Sequence, residues 1–245
     1  EQAAGDNYEV AMVAIDPDNG YIKALVGGKD YDASQVNMAT GTGGSGRQAG
    51  SSFKTFTLVA AIEQGIDPST MIDASATAKL PGWEVANINH TNYGTKSISD
   101  AFAVSSNTAF ARLILSIGPD KVVDVAKRMG ITSPLTATGS LTLGSESVTP
   151  LEMANAYATI ANGGTHYDPE CVERIVDRNG SIVVDNSAPK GTRAISAEVA
   201  HAATEVMKGV ITKGTGKAAA LSSGQVSAGK TGTSENYMDS WFCGI

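Results

Sequence analysis

The order of hydrophobic patterns predicts an α+β fold, with an antiparallel sheet built from both chain ends and covered by helices. Three observations lead there: a pair of β-rich runs near the start, helical periodicity through a long middle, and a second pair of β-rich runs at the end. The division places a sheet part at about residues 1–60 and 190–245 and a mainly helical part at about 61–189. With 245 residues, 42% hydrophobic and 18% charged, the chain can bury a sizeable core without disulfide staples.

Tyr8 to Asp16 is apolar on both faces, Pro17-Asp18-Asn19-Gly20 supplies a turn, and Tyr21 to Gly27 is a second β-rich run; together they predict a core hairpin. Ser52 to Gln64 carries Phe53, Phe56, Val59, Ala60 and Ile62 at helical spacing and stops at Gly65, which predicts a largely buried helix. Two more helical patterns lie between Asp100 and Met129, broken at Gly118-Pro119 and ended by Gly130. Thr149-Pro150-Leu151-Glu152 is a capping box with proline at the first helical position, so a helix runs from there to about Asn162 and stops at Gly163-Gly164. Cys171 to Asp177 and Ser181 to Asp185, joined by Arg178-Asn179-Gly180, predict a small hairpin. Ala197 to Val210 follows as a helix capped by Ser196, and Gln225 to Thr233 with Ser240 to Ile245 form the final strand pair. Ser240 to Ile245 stops in mid-strand and Glu1 opens without a methionine or targeting segment, so the chain reads as a piece of a longer polypeptide.

Composition removes several function classes. A net charge of -7 and a pI near 4.9 leave no basic stripe to displace counterions from phosphate, so no nucleic-acid partner is expected. Apolar stretches such as Ala11 to Ile15 and Ala109 to Ile117 are too short to span a bilayer. Cys171 and Cys243 fit no metal spacing and read as small buried hydrophobes; His90, His166 and His201 lie too far apart for a metal cluster. No metal or other cofactor is expected, and a catalytic base other than histidine is.

Chemistry gathers around Ser51-Ser52-Phe53-Lys54, which follows a glycine-rich loop and opens the buried helix. Serine and lysine at i and i+3 share a helix face. A serine hydroxyl becomes nucleophilic when a neighbouring base takes its proton, and a lysine amine serves only if burial or a nearby cation lowers its pKa. The apolar helix offers that burial, and its dipole favours negative charge near Ser51. By itself SxxK is a common pattern on helix surfaces. Here Ser105-Ser106-Asn107 follows at the start of a helical run, and Lys230-Thr231-Gly232-Thr233 lies on a predicted edge strand. The ordered trio of SxxK, a serine-asparagine motif and KTG is the signature of penicillin-binding proteins and class A β-lactamases.

The chain therefore resembles the penicillin-recognising serine enzymes, most closely the class A, bifunctional penicillin-binding proteins, along nearly its whole length. Ala14-Ile15-Asp16-Pro17, Val26-Gly27-Gly28, Arg47-Gln48-Ala49-Gly50, Thr149 to Met153, Ala161 to Gly164, Gly214-Thr215-Gly216 and Asp239-Ser240-Trp241-Phe242 all look like that family's transpeptidase domain. The resemblance implies the penicillin-binding, β-lactamase-like fold and a serine-type D-Ala-D-Ala transpeptidase of peptidoglycan, inhibited by β-lactams. In it Ser51 attacks the carbonyl between two D-alanines, Lys54 takes its proton, Ser105 relays a proton to the leaving D-alanine, and Asn107 orients Lys54. Lys230, Thr231 and Thr233 hold the terminal carboxylate, Gly232 lets substrate lie close to the strand, and the N–H groups of Ser51 and Thr233 form the oxyanion hole. Partners implied are stem peptides as donor and amine acceptor, β-lactams, and an upstream glycosyltransferase domain; the setting is extracytoplasmic, tethered to the cell membrane by an upstream anchor. A C-terminal strand and helix of that fold would follow Ile245. Alternatives are a DD-carboxypeptidase, a β-lactamase, or a β-lactam-binding sensor.

Two residues beside the nucleophile depart from the family, Ala49 and Thr55, both where proline is usual. Neither does chemistry, and changed loop stiffness is expected. Ser106 stands where class A β-lactamases carry aspartate, and the motifs assign no deacylating glutamate, which favours a slowly hydrolysed acyl-enzyme. A rival match, Gly41-Thr42-Gly43-Gly44-Ser45-Gly46, satisfies GxGxxG, but Arg47 replaces the P-loop lysine and no βαβ unit surrounds it. Trp83, Tyr93, Tyr237 and Trp241 are near the motifs and are candidates for cleft lining or for packing.

Overall fold

The computed structural model describes residues 8–245. The first hairpin is present as β1 (Met12–Ile15) and β2 (Ile22–Val26), antiparallel with Met12 opposite Val26. It is not the core hairpin expected: none of its strand residues is buried and Met12 and Leu25 are exposed, because among the described residues only one face has a helix, Pro150–Ala161, against it. A short strand β3 (Arg47–Gln48) then leads into a 3₁₀ turn, Gly50–Phe53, which runs on into α1 (Lys54–Glu63). Helix α1 is buried on every side along Lys54 to Ala61, so it is the spine of the core rather than a surface helix.

The middle carries four strands absent from the helical reading: β4 (Met71–Asp73), β5 (Thr77–Leu80), β6 (Trp83–Ala86) and β7 (Thr95–Ser97), paired as β4 with β7 and β5 with β6. Next come α2 (Ile98–Ala103), α3 (Asn107–Ile117) and α4 (Pro119–Arg128). The first helical pattern is thus two helices. Ser105 adopts a left-handed φ of 60°, which no α-helix accommodates, and Ser106 caps the new one by accepting from Ala109 N at 3.3 Å.

Strand β8 (Ser147–Val148) pairs with β3, and α5 (Pro150–Ala161) starts at the capping box read from the sequence. Strands β9 (Thr165–His166) and β12 (Thr192–Arg193) pair with each other around the small hairpin of β10 (Arg174–Val176) and β11 (Ile182–Asp185). Cys243 is buried as expected, whereas Cys171 is exposed, because it precedes this solvent-facing hairpin rather than entering the core. Helix α6 (Ala197–Thr212) and the final pair, β13 (Gly229–Thr233) with β14 (Ser240–Gly244), complete the order.

Helix α1 packs against α3, α4 and α6, with Phe53, Phe56, Phe102, Phe110 and Met129 all at or below 1% exposure. Each large apolar side chain so buried contributes about 2–3 kcal/mol as an upper estimate. Helix α5 lies against both β1 and β14. Among the described residues no backbone bond joins the two end hairpins. Between β1 and β14 lies a cavity of about 970 Å³, bounded by α5 residues including Met153, Tyr157 and Ala161.

Candidate active site

The position of Ser51 is set by backbone contact between segments far apart in the chain. Gly50 has φ +56°, and a Cβ there would collide with Thr233 O; a Cβ on Gly232 would collide with Ala49 O. Only glycine lets the turn before α1 press this closely against β13. Ser51 consequently lies beside the KTG strand, within the 3₁₀ turn and just ahead of the α-helix proper.

Lys54, fully buried, reaches four oxygens: Ser51 Oγ at 2.8 Å, Asn107 Oδ1 at 2.7 Å, Ser105 O at 2.9 Å and Ser105 Oγ at 3.2 Å. Asn107 Nδ2 donates to Ala86 O at 3.0 Å, which fixes its amide so that the oxygen faces the lysine. Burial, and after it the Lys230 cation, lowers the Lys54 pKa well below its ordinary value. A neutral amine has two N–H groups and one lone pair. The Asn107 and Ser105 carbonyl oxygens can only accept, so in the neutral form they take the two N–H groups and the lone pair faces the hydroxyls, of which Ser51 Oγ is nearer than Ser105 Oγ.

Lys230, also fully buried, lies 2.9 Å from Ser105 Oγ and 3.1 Å from Thr231 O, with its ammonium 5.4 Å from the Phe102 ring centre. Burial brings its pKa down to about 7. Cys243 faces Lys230 across the β13–β14 pair, and burial pushes its thiol up to about 12, so it stays uncharged near neutrality. The strained conformation of Ser105 lets its carbonyl and its hydroxyl both meet amines.

Sequence reasoning missed two supports. Asn87 is buried between the small ribbons and α3: its Oδ1 accepts from Ser106 Oγ at 3.0 Å and Thr108 N at 3.1 Å, while its Nδ2 donates to Ala74, Ser75 and Thr91 carbonyls. Tyr157 ties α5 to the turn that carries Ser51, donating to Ser52 O at 2.9 Å and meeting Thr55 Oγ1 at 2.6 Å. Burial raises the Tyr157 pKa well above its usual value, so the hydroxyl keeps its proton. Thr55, one of the two departures from proline, thus gains a buried hydrogen bond. No local pattern marks Asn87 or Tyr157, because their partners are remote in sequence.

Ser51, Ser105, Thr231, Gly232 and Thr233 share a cleft of about 250 Å³ with Ile88, Thr215, Ser240 and Trp241. Of the four aromatic candidates only Trp241 lines it. Trp83 packs in a satellite cluster with Ala78 and Val85, Tyr93 packs on the core, and the exposed Tyr237 borders the larger cavity between the hairpins. The Gly41 to Gly46 loop leads into β3 rather than opening a helix after a strand, so it lacks a nucleotide-binding setting. Among the described residues no helix is long and apolar enough to cross a membrane.

Residues 10–245 match the family model described as the penicillin binding protein transpeptidase domain. The chain is 34% identical over 242 residues to penicillin-binding protein 1A of Aquifex aeolicus, covering 97% of this chain and 32% of that protein. It is 34% identical over 256 residues to penicillin-binding protein 2D of Bacillus subtilis, covering 99% and 36%. The chain thus spans about a third of the length of these curated relatives. Among solved structures, PonA1 of Mycobacterium tuberculosis in complex with penicillin V is similar with a TM-score of 0.84 at 32% identity, over 96% of this chain and 65% of that one. Penicillin-binding protein 1A of Haemophilus influenzae is similar with a TM-score of 0.86 at 28% identity, over 97% and 41%.

Proposed function

This chain belongs to the penicillin-binding protein transpeptidase family, and on that premise we propose that it is a peptidoglycan D,D-transpeptidase acylated at Ser51. The observation that carries the reading is the 2.8 Å contact between Lys54 Nζ and Ser51 Oγ, with carbonyl acceptors occupying the amine's other directions.

Ser51 Oγ attacks the carbonyl between the two D-alanines and its proton passes to Lys54. The oxyanion is held by the N–H groups of Ser51 and Thr233, a reading supported by the close approach of Gly50 to the Thr233 backbone; removing one such donor costs about 3 kcal/mol of barrier. Collapse breaks the amide bond, and the departing D-alanine nitrogen takes a proton through the Ser105 hydroxyl, which lies between Lys54 and Lys230. An amine from a neighbouring stem peptide then attacks the ester, forms the crosslink and returns the proton to Ser51. Thr231, Thr233 and Lys230 hold the terminal carboxylate, and Asn107 orients Lys54. A β-lactam enters by the same attack, but its leaving nitrogen stays tethered, so the ester persists. No carboxylate side chain lines the described cleft, which supports amine transfer over β-lactam hydrolysis.

The site would lie where the sheet part (about 1–60 and 190–245) meets the helical part (about 61–189). The class A relatives support an extracytoplasmic setting for this chain, within a membrane-anchored polypeptide that also bears a glycosyltransferase domain.

Labelling with a fluorescent penicillin tests the proposal. Persistent labelling that disappears in Ser51→Ala is expected, together with amine-dependent release from a D-alanyl thioester mimic. Rapid turnover of the label would identify a β-lactamase, and labelling with no amine-dependent release would identify a sensor.

A further inference from the structure

We propose that the Thr215 hydroxyl acts with Thr231 as a paired donor to the carboxylate that ends the substrate, which makes Thr215 a substrate-binding residue; this rests on the acyl-transfer reading above.

Thr215 follows α6, and its side chain is in the cleft with Ser51. Its Oγ1 lies 2.6 Å from Thr231 Oγ1, an exposed contact at the cleft wall. Two hydroxyls in contact share one hydrogen bond between them, so the pair always has one proton free for a third group. When Thr215 donates to Thr231, Thr231 points its proton at the ligand; in the reverse order Thr215 does. An anion is the ligand that gains most from either order, since hydrogen bonds to charged acceptors are about twice as strong as neutral ones. The surroundings suit an anion: the Lys230 ammonium donates to Thr231 O at 3.1 Å, and no carboxylate lines the described cleft.

The backbone around Thr215 is held tightly. Thr215 N donates to Ala103 O at 3.1 Å and Gly216 N to Val210 O at 3.0 Å. A Cβ on Gly214 would collide with Ala103 O, and one on Gly216 would meet Val210 Cγ1 at 3.0 Å. The backbone of the turn is therefore clamped against α2 and α6, and the contact with Thr231 holds the side chain toward β13. Such pre-positioning lowers the entropy lost when a ligand binds.

The experiment crosses two probes with three proteins. The probes are D-alanyl thioesters whose leaving group ends in a carboxylate or in a neutral carboxamide; Ser51 forms an ester with the acyl group and the thiol departs. Thr215→Val, which keeps the side-chain shape, is expected to lower the acylation rate constant for the carboxylate probe about tenfold, as loss of one charge-assisted hydrogen bond does. Thr215→Ser should restore the rate, and the carboxamide probe should respond little to either change. Equal losses for both probes would show that Thr215 only braces the cleft, and no loss for either would remove it from the site; each result overturns the inference while leaving transpeptidation standing. A parent chain that neither probe acylates would overturn both.

Discussion

At the scale of single residues the site is a problem in proton placement. Two fully buried lysines share the Ser105 hydroxyl, at 3.2 Å and 2.9 Å, and two ammonium ions that close repel each other. Lys54, pushed well down by burial and by Lys230, is the amine that gives up its charge; Lys230 keeps its own until about pH 7. The rate of acylation by a carboxylate-bearing donor should therefore rise as Lys54 loses its proton and fall from about pH 7 upward as Lys230 does; in Lys230→Gln the alkaline fall should vanish along with most of the activity. Stability has the opposite trend. Between about 7 and the ordinary lysine value of 10.5 the unfolded chain binds more protons at this position, so folding stability rises with pH across that window and the burial penalty is full below it. Thermal melts of Lys230→Met should exceed the parent by most at pH 6, and a parent melting temperature independent of pH from 6 to 10 would refute the assignment. The motif residues were readable because SxxK, the serine-asparagine pair and KTG encode chemistry locally. Asn87 and Tyr157 were not, since their contacts, such as Tyr157 on Ser52, exist only once the chain folds; Thr215 stood out only as part of the Gly214-Thr215-Gly216 likeness, and its contact with Thr231 likewise comes from folding.

At the scale of elements, caps and breaks position the chemistry. Thr149 and Glu152 close the capping box on α5, and the Glu152 carboxylate also takes hydrogen bonds from Thr132 and Ser133, backbone and side chain alike. Burial alone would raise the Glu152 pKa, but those hydrogen bonds outweigh it and hold the carboxyl below its usual range. The stabilisation is present above the ordinary glutamate pKa and is lost as pH falls through the depressed value. Glu152→Ala leaves several buried donors without a partner and should cost about 2–3 kcal/mol in chemical denaturation at pH 7, and less at pH 4. Penicillin labelling of the folded fraction should persist, because Glu152 lies outside the cleft. The capping box was legible as a four-residue pattern with proline at the first helical position. The start of α3 at Ser105-Ser106-Asn107 was also read, but the left-handed turn that parts it from α2 was not: Val104-Ser105-Ser106 carries no glycine or proline, and the turn at Ser105 is sustained by its bonds to Lys54 and Lys230. The β4–β7 and β5–β6 ribbons escaped notice because strands of three or four residues show too little alternation to register.

For the molecule as a whole, the α+β order and the pairing within each end hairpin followed from hydrophobic pattern and turn residues, but the relation between the hairpins did not. They lie on either side of a 970 Å³ cavity against α5, with the outer edges of β1 and β14 unpaired among the described residues. Unpaired strand edges beside apolar surface recruit other chains. The isolated 245-residue polypeptide should accordingly scatter light increasingly with concentration and melt over a broad range; a dispersed monomer with a sharp, high-temperature transition would contradict this. The distribution of the reactive groups along the chain has a further outcome. Ser51 and the Lys230–Thr233 stretch are far apart in the chain and meet only once β13 lies against Gly50. Until that docking Ser51 has neither Lys230 nor the Thr233 backbone beside it, so the cleft is a product of tertiary folding and an unfolded chain holds no fragment of it.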